Sequence, residues 1–228
     1  MKVQAIIPAA GLGTRLQTQS SKPLVPLHGQ PLIVYTLKAF EKSPHIDSVI
    51  LVGHPRYLSA LSKIVSTYSL RKVIQIIAGG KTRTESVGLG LKATDSDTDI
   101  VVIHDAARAC VSVDLIEESI KQCQRQKAVV VGVPVKSTIK KVRQQTIRET
   151  LKRNELWEIQ TPQVFKRSIL VKAYDRLAKD KKKFKDLTDD ASLVEKIGIP
   201  VKVSLGDYRN IKITTPEDLA LAKVYLKS

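Results

Sequence analysis

The chain is poor in aromatic residues and in acid. Only 4% of its 228 residues are aromatic, and 22 Asp and Glu stand against 38 Lys and Arg, a net charge of +16. The surplus of cations asks for an anionic partner. The shortage of aromatics argues against nucleic acid in that role, because single-strand binders set stacking platforms beside their cations. Most of the lysines are also spread along the chain rather than gathered in one block. Cysteine is scarce too: Cys110 and Cys123 form no C-x-x-C pair and have no partner cluster. They read as reduced core residues of a cytosolic protein. No apolar run approaches a membrane span, and the opening MKVQAIIPAA is broken at Pro8, too short for a signal-peptide core. A cytoplasmic protein with no membrane partner is the expectation.

What is present is a regular alternation, and 43% hydrophobic content is enough to build a sizeable core. Runs rich in Val and Ile lie at 3–7, 48–52, 73–77, 100–103 and 129–133, with helical periodicity between them at 31–42, 57–68, 84–93 and 113–125. Strands that are apolar without alternation suit a parallel sheet covered on both faces. The expected fold is α/β, a doubly wound three-layer sandwich with a mostly parallel, Rossmann-like sheet, and residues 1–228 as one domain. Residues 134–153 break the rhythm: they alternate apolar and polar, and read as a projecting β-hairpin arm turning near 143–145. Beyond it the pattern gives a short strand at 157–160, helices at 167–178 and 189–197, and a last helix capped by Thr215 with Pro216 behind it. Trp157, the sole tryptophan, is expected in the core.

Ligands of such folds sit at the carboxyl ends of the strands. The first strand runs into PAAGLGTRL, which is neither a Walker loop nor a dinucleotide fingerprint, since Leu16 stands where the third glycine would be. Its residues Ala9, Ala10, Gly11 and Gly13 let the backbone approach a ligand closely and turn amide N–H groups toward an anion. Arg15, and Lys22 in SSKPL, supply charge. A tight strand-to-helix turn with two solvated cations would read the same way. Two further strand ends carry AGGKTRTES and HDAAR, so Gly79, Gly80, Ser86, Asp105 and Arg108 belong to the same edge. A lone carboxylate among cations is what a magnesium ion bridging phosphates needs, although a salt bridge or a helix cap would also account for Asp105.

PAAGLGTRL with Lys22, the GG-x-x-R-x-x-S pattern of GGKTRTES, HDAAR, Arg153-Asn154, TPQVF, TDDASLVE and NIKITTPEDL occur in this order along the whole chain. Together they resemble the 2-C-methyl-D-erythritol 4-phosphate cytidylyltransferases of the non-mevalonate isoprenoid pathway, whereas G-x-G-T-R-L alone is shared with sugar-nucleotide transferases. The resemblance implies a nucleotidyltransferase domain that makes a CDP-polyol and pyrophosphate from CTP and a polyol phosphate. It implies that the loop Ala9–Arg15, Thr14 included, cradles CTP with Gly80, Lys81 and Ser86. Arg15 and Lys22 would stabilise the α-phosphate, and Asp105 would help hold Mg²⁺. Arg108, Thr138, Arg153 and Lys212 would hold the methylerythritol phosphate. It also implies a homodimer, with the arm carrying Thr138 and Arg153 to the neighbouring site. The chain departs from the family at Ser21-Lys22-Pro23, at Lys81, at Ala109 after HDAAR, and at Arg209, departures that bear on substrate preference more than on the reaction.

The chemistry accounts for the charges independently. A phosphate oxygen attacking the α-phosphorus of a triphosphate brings anion against anion, so cations are required and a general base is not. His28, His45, His54 and His104 share no spacing and read as surface or packing residues, His104 being the one beside the site. Asp189 and Asp190 read either as paired carboxylates or as a helix cap, and Lys181–Lys185 as a solvated loop. The rival readings are a ribitol 5-phosphate cytidylyltransferase and a non-catalytic nucleotide or nucleic-acid binding protein.

Overall fold

The computed structural model describes residues 1–11, 21–180 and 187–227. Eleven described strands follow in chain order: β1 (Val3–Ala9), β2 (Pro26–Leu27), β3 (Gln30–Pro31), β4 (Ser48–Gly53), β5 (Val73–Ala78), β6 (Ile100–Ile103), β7 (Ala128–Pro134), β8 (Lys140–Arg143), β9 (Thr146–Thr150), β10 (Trp157–Lys166) and β11 (Lys202–Leu205). The described α-helices are α1 (Leu32–Lys42), α2 (Leu58–Thr67), α3 (Arg83–Lys92), α4 (Val113–Arg125), α5 (Arg167–Lys179), α6 (Asp190–Glu195) and α7 (Pro216–Tyr225). Seven strands form one sheet in the order β11-β7-β10-β6-β1-β4-β5. All neighbours are parallel except β10, which runs antiparallel between β6 and β7. The fold is the expected α/β sandwich with a mostly parallel sheet.

Burial on both faces explains why the central strands read as unbroken apolar runs. Val3, Ala5 and Ile7 of β1 point into a cluster with Ile33, Leu37 and Phe40 of α1 and Ile116 and Ile120 of α4. Ile6 points the other way, into a cluster with Val87 and Leu91 of α3, Leu170 of α5 and Leu193 of α6. A smaller third cluster joins Val25, Leu27 and Leu32 to Ile213 and Ala222, fastening α7 to the segment after the glycine loop.

Three expectations need correction. The strand expected at 157–160 continues to Lys166 and lies in the middle of the sheet. Pro162 argues against a central strand, yet it falls where the pairing with β7 shifts register between Ile159 and Gln163, the kind of irregularity that tolerates it. Strand β11 was not expected, since KVSL offers little apolar content and is mostly exposed at the sheet edge. Trp157 is 40% exposed rather than core, because β10 begins with solvent-exposed residues before entering the covered part of the sheet.

The arm is the expected hairpin. β8 and β9 pair antiparallel, Val142 opposite Ile147, and both strands are exposed along their full length. The turn is made by Gln144 and Gln145 at φ 49° and 59°, the pair of positive values a two-residue hairpin turn requires.

Helix α3 carries the site's second loop at its N-terminus, so its distance from β1 matters. A Cβ on Gly90 would lie 2.5 Å from Cγ2 of the buried Ile6 and 3.1 Å from Cγ2 of Val52. Glycine is what lets the helix sit down on the sheet. Gly90→Ala is therefore expected to destabilise the protein by about 1–3 kcal/mol, the cost of overpacking a close-packed core. Urea unfolding measures it, and an unchanged midpoint would show that the helix accommodates the methyl group.

Candidate active site

The carboxyl ends of β1, β5 and β6 open onto one cleft. Ala9, Ala10 and Gly11 line it from β1, Lys22 from the short 3-10 helix that follows, Gly80, Lys81, Arg83 and Ser86 from the β5–α3 loop, Asp105 from β6, and Lys212 from the segment before α7. Nine of the residues singled out in the sequence thus meet in one place. Gly13, Thr14 and Arg15 lie outside the described residues, as do Lys181–Lys185.

The first two loops touch. A Cβ on Gly79 would fall 2.6 Å from the Ala10 methyl carbon and 2.8 Å from Ser86 Oγ, so glycine is what brings the β5 loop against the β1 loop. Thr82 caps α3 by accepting from Glu85 N–H. The loop before it is held from within. Gly80 N–H donates to Ser86 Oγ at 3.1 Å, Lys81 N–H donates to Glu85 Oε2 at 2.8 Å, and the Ser86 hydroxyl donates to the Thr82 carbonyl at 2.9 Å. Ser86 is buried, and its hydroxyl shapes the loop.

Asp105 is the electrostatic centre. It is 7% exposed, and its Oδ1 accepts from Arg83 Nε at 2.8 Å while its Oδ2 meets Lys212 Nζ at 2.6 Å. Its backbone N–H donates to Thr161 Oγ1. Burial pushes its pKa up, but Arg83 and then Lys212 more than offset this and hold the carboxyl well below the usual carboxylate range. Arg83 in turn donates through Nη1 to Asp190 Oδ2 at 2.6 Å. Burial works against its charge, and the two carboxylates outweigh that and raise its pKa above the ordinary arginine value.

Lys212 owes its position to a buried polar clamp. Asn210 is fully buried, with Nδ2 donating to the Thr161 carbonyl at 2.8 Å and to Gln160 Oε1 at 3.2 Å. Ile213 N–H donates to the Ala107 carbonyl. Arg108 completes the clamp: 5% exposed, it donates from Nη1 to the Asn210 carbonyl at 2.6 Å and from Nη2 to the Ile159 carbonyl at 3.4 Å. It does not line the cleft. Thr138 and Arg153 are exposed at the base of the arm, and Arg153 Nη1 donates to the Lys136 carbonyl at 3.1 Å. Neither lines the cleft of its own chain.

His104 is not an acid–base group of the site. It is fully buried against Phe40, with its ring nitrogens on Thr161 Oγ1 and the Arg108 carbonyl. Burial pushes its pKa down to about 4, so it is neutral at pH 7. Of the paired carboxylates, Asp189 caps α6 in a reciprocal arrangement with Ser192, and Asp190 is buried on Arg83. The residues that build the cleft and were not singled out in the sequence are Arg83, Tyr174 and Asn210, and Asp190, read there as a paired carboxylate or helix cap, is the partner of Arg83. Arg83, Asp190 and Asn210 each stand inside a motif quoted above, so the signal was the motif and not the lone residue type.

Comparison with known proteins gives the arrangement a family. The family model described as IspD: 2-C-methyl-D-erythritol 4-phosphate cytidylyltransferase matches residues 3–228. A curated 2-C-methyl-D-erythritol 4-phosphate cytidylyltransferase from Geobacillus thermodenitrificans is 42% identical, covering 100% of this chain and 98% of its own. One from Alkaliphilus metalliredigens is 41% identical over 97% of this chain and 92% of its own. Among solved structures, the 4-diphosphocytidyl-2C-methyl-D-erythritol synthase from Anaerococcus prevotii superposes with a TM-score of 0.87 at 31% identity, covering 100% of this chain and 99% of that one. The 2-C-methyl-D-erythritol 4-phosphate cytidylyltransferase from Thermus thermophilus does so at 0.82 and 28%, covering 100% of both chains. With its glycine loops, Asp105 and Lys212 gathered at one sheet edge and full-length relatives on both counts, this chain belongs to the 2-C-methyl-D-erythritol 4-phosphate cytidylyltransferase family.

Proposed function

We propose that this protein transfers a cytidylyl group from CTP to 2-C-methyl-D-erythritol 4-phosphate, releasing pyrophosphate. The observation that carries the reading is the cleft in which the β1 and β5 loops, Lys22, Arg83 and Lys212 surround one buried carboxylate. The polyol phosphate is already ionised near neutral pH, so its oxygen can attack the α-phosphorus without a base. The obstacle is the approach of two anions, and the remedy is fixed positive charge where charge builds up. Lys22, on the 3-10 helix that lines the cleft, would meet the α-phosphate, and Arg15 is assigned the same task. Lys212, 42% exposed at its side chain, is placed to turn from Asp105 toward a phosphate.

Magnesium fits the donor set. Mg²⁺ is held by one or two carboxylates together with substrate oxygens. Asp105 is the carboxylate lining the cleft, its oxygens engaged by Arg83 and Lys212. Among the described residues no group of three or more His, Cys, Asp or Glu could hold a metal by itself, so the ion would come in with the nucleotide. Bound there with the nucleotide, the ion would neutralise phosphate charge, and Lys212 would be released from the shared carboxylate toward a phosphate. Among the described residues no helix is long and apolar enough to cross a membrane. Action on two small phosphorylated substrates, CTP and a polyol phosphate, places the proposed enzyme in the cytoplasm.

The test is turnover by the purified protein. Pyrophosphate should appear only when CTP, methylerythritol phosphate and a divalent metal are present together. Equal turnover with ribitol 5-phosphate would assign the rival substrate, and no turnover with either would remove the enzymatic reading.

The arm belongs to the same proposal. An isolated hairpin is marginal in water, and this one exposes Val142 and Ile147 at 55% and 59%. A second copy of the chain is the surface it is built to meet, forming a homodimer in which Thr138 and Arg153 serve the partner's cleft and Arg108 supports the phosphate end of the site. An arginine fork suits phosphate oxygens. Mixing Arg153→Ala protein with Lys212→Ala protein, each nearly inactive alone, should restore activity toward about a quarter of the unaltered rate. Random pairing makes roughly half the dimers mixed, each with one intact site. No recovery despite proven subunit exchange would place Arg153 in the service of its own subunit.

A further inference from the structure

The functional reading above gives tasks to Asp105 and Lys212 but none to Arg83, whose contacts are the most demanding in the cleft. Its Nε and Nη1 grip carboxylates from two different elements, Asp105 after β6 and Asp190 at the start of α6. Asp190 is 1% exposed, and its other oxygen accepts from the Tyr174 hydroxyl of α5 at 2.7 Å. That hydroxyl also lies 3.3 Å from the Thr84 carbonyl, next to Arg83 in the chain. An unbroken line of contacts therefore runs Tyr174–Asp190–Arg83–Asp105–Lys212, from the helical layer to the cleft.

Two features separate Arg83 from a group that binds substrate. Its remaining guanidinium nitrogen, Nη2, is buried and has no hydrogen-bond partner among the described residues. Its charge is also already matched, because Asp105 and Asp190 face Arg83 and Lys212 across the cluster. Its distinctive contribution is geometric: a rigid planar fork spans two divergent carboxylates, where the point charge of a lysine satisfies one at a time.

We propose that Arg83 is a positioning residue for cytidylyl transfer, fixing the Asp105 carboxylate in the cleft, and that Asp190 with Tyr174 fixes Arg83. The proposal rests on the functional reading above. Without Arg83, Asp105 Oδ1 loses its partner and the carboxylate is free to rotate onto Lys212. Displacements near 1 Å at a reacting centre cost on the order of 10²-fold in rate.

The experiment compares the unaltered enzyme with Arg83→Met, Arg83→Lys, Asp190→Asn, Asp105→Asn and the double variant Arg83→Met/Asp105→Asn. It measures kcat, KM for each substrate and the urea unfolding midpoint, so that folded fractions are known. Arg83→Met should lose about 10²-fold in kcat with KM for CTP within about 3-fold, and Arg83→Lys should regain part of the loss. The double variant should be no slower than Asp105→Asn, because residues acting through one another are not additive. Asp190→Asn keeps the side-chain volume and should lose about 10-fold, which decides the matter if Arg83→Met does not fold. Unaltered kcat in Arg83→Met or Asp190→Asn, or losses at Arg83 and Asp105 that multiply, would overturn the proposal while leaving the functional reading intact. An inactive unaltered protein would overturn both.

Discussion

A carboxylate buried at the end of a parallel strand has to be compensated, and much of the site follows from how Asp105 is. A buried charge that loses its partner costs about 3–5 kcal/mol. Arg83 and Lys212 therefore come to Asp105 from opposite sides, one from the start of α3 and one from the segment before α7. Each brings its own support. Arg83 recruits Asp190 and Tyr174, and the segment holding Lys212 is fastened by Asn210, Arg108 and Ile213 to β10 and to the loop after β6. Three loops distant in sequence are held together by one ion cluster.

That arrangement suits a reaction whose difficulty is electrostatic. At an effective dielectric near 20, two unit charges 4 Å apart interact by about 4 kcal/mol, and two phosphate groups meeting inside a cleft carry several such terms. The protein's answer is cations fixed in advance, with one carboxylate that keeps two of them ordered. No acid–base histidine is needed, and His104, the one beside the site, is buried and neutral. The +16 net charge has a global role beside this local one, since it raises the concentration of anionic ligands near the surface.

Much of this was legible in the sequence, and the illegible parts have physical causes. The parallel strands were plain because two covered faces force unbroken Val and Ile runs, and Ile100–Ile103 has the boundaries read from sequence. Nine site residues meet because a doubly wound sheet delivers its strand ends to one edge. β10 was half hidden by Pro162, whose usual exclusion from central strands is relaxed at a register shift. Arg83 was hidden because a cation among 38 carries no mark of burial; only the carboxylate of α6, 107 residues away, makes it a buried bridge. Trp157 misled because residue type alone predicts burial on average, while a strand that outruns its helical cover exposes whatever stands there.

The central claim is that Asp105 and the cations around it receive the triphosphate. The most direct measurement is a structure of the protein with CTP and Mg²⁺. The account predicts the triphosphate between the Ala9–Gly11 loop and the β5–α3 loop, with Lys22 on phosphate oxygens and Asp105 beside the metal. A nucleotide bound elsewhere, or one bound in the cleft with Lys22 and Asp105 remote from every phosphate, would contradict it.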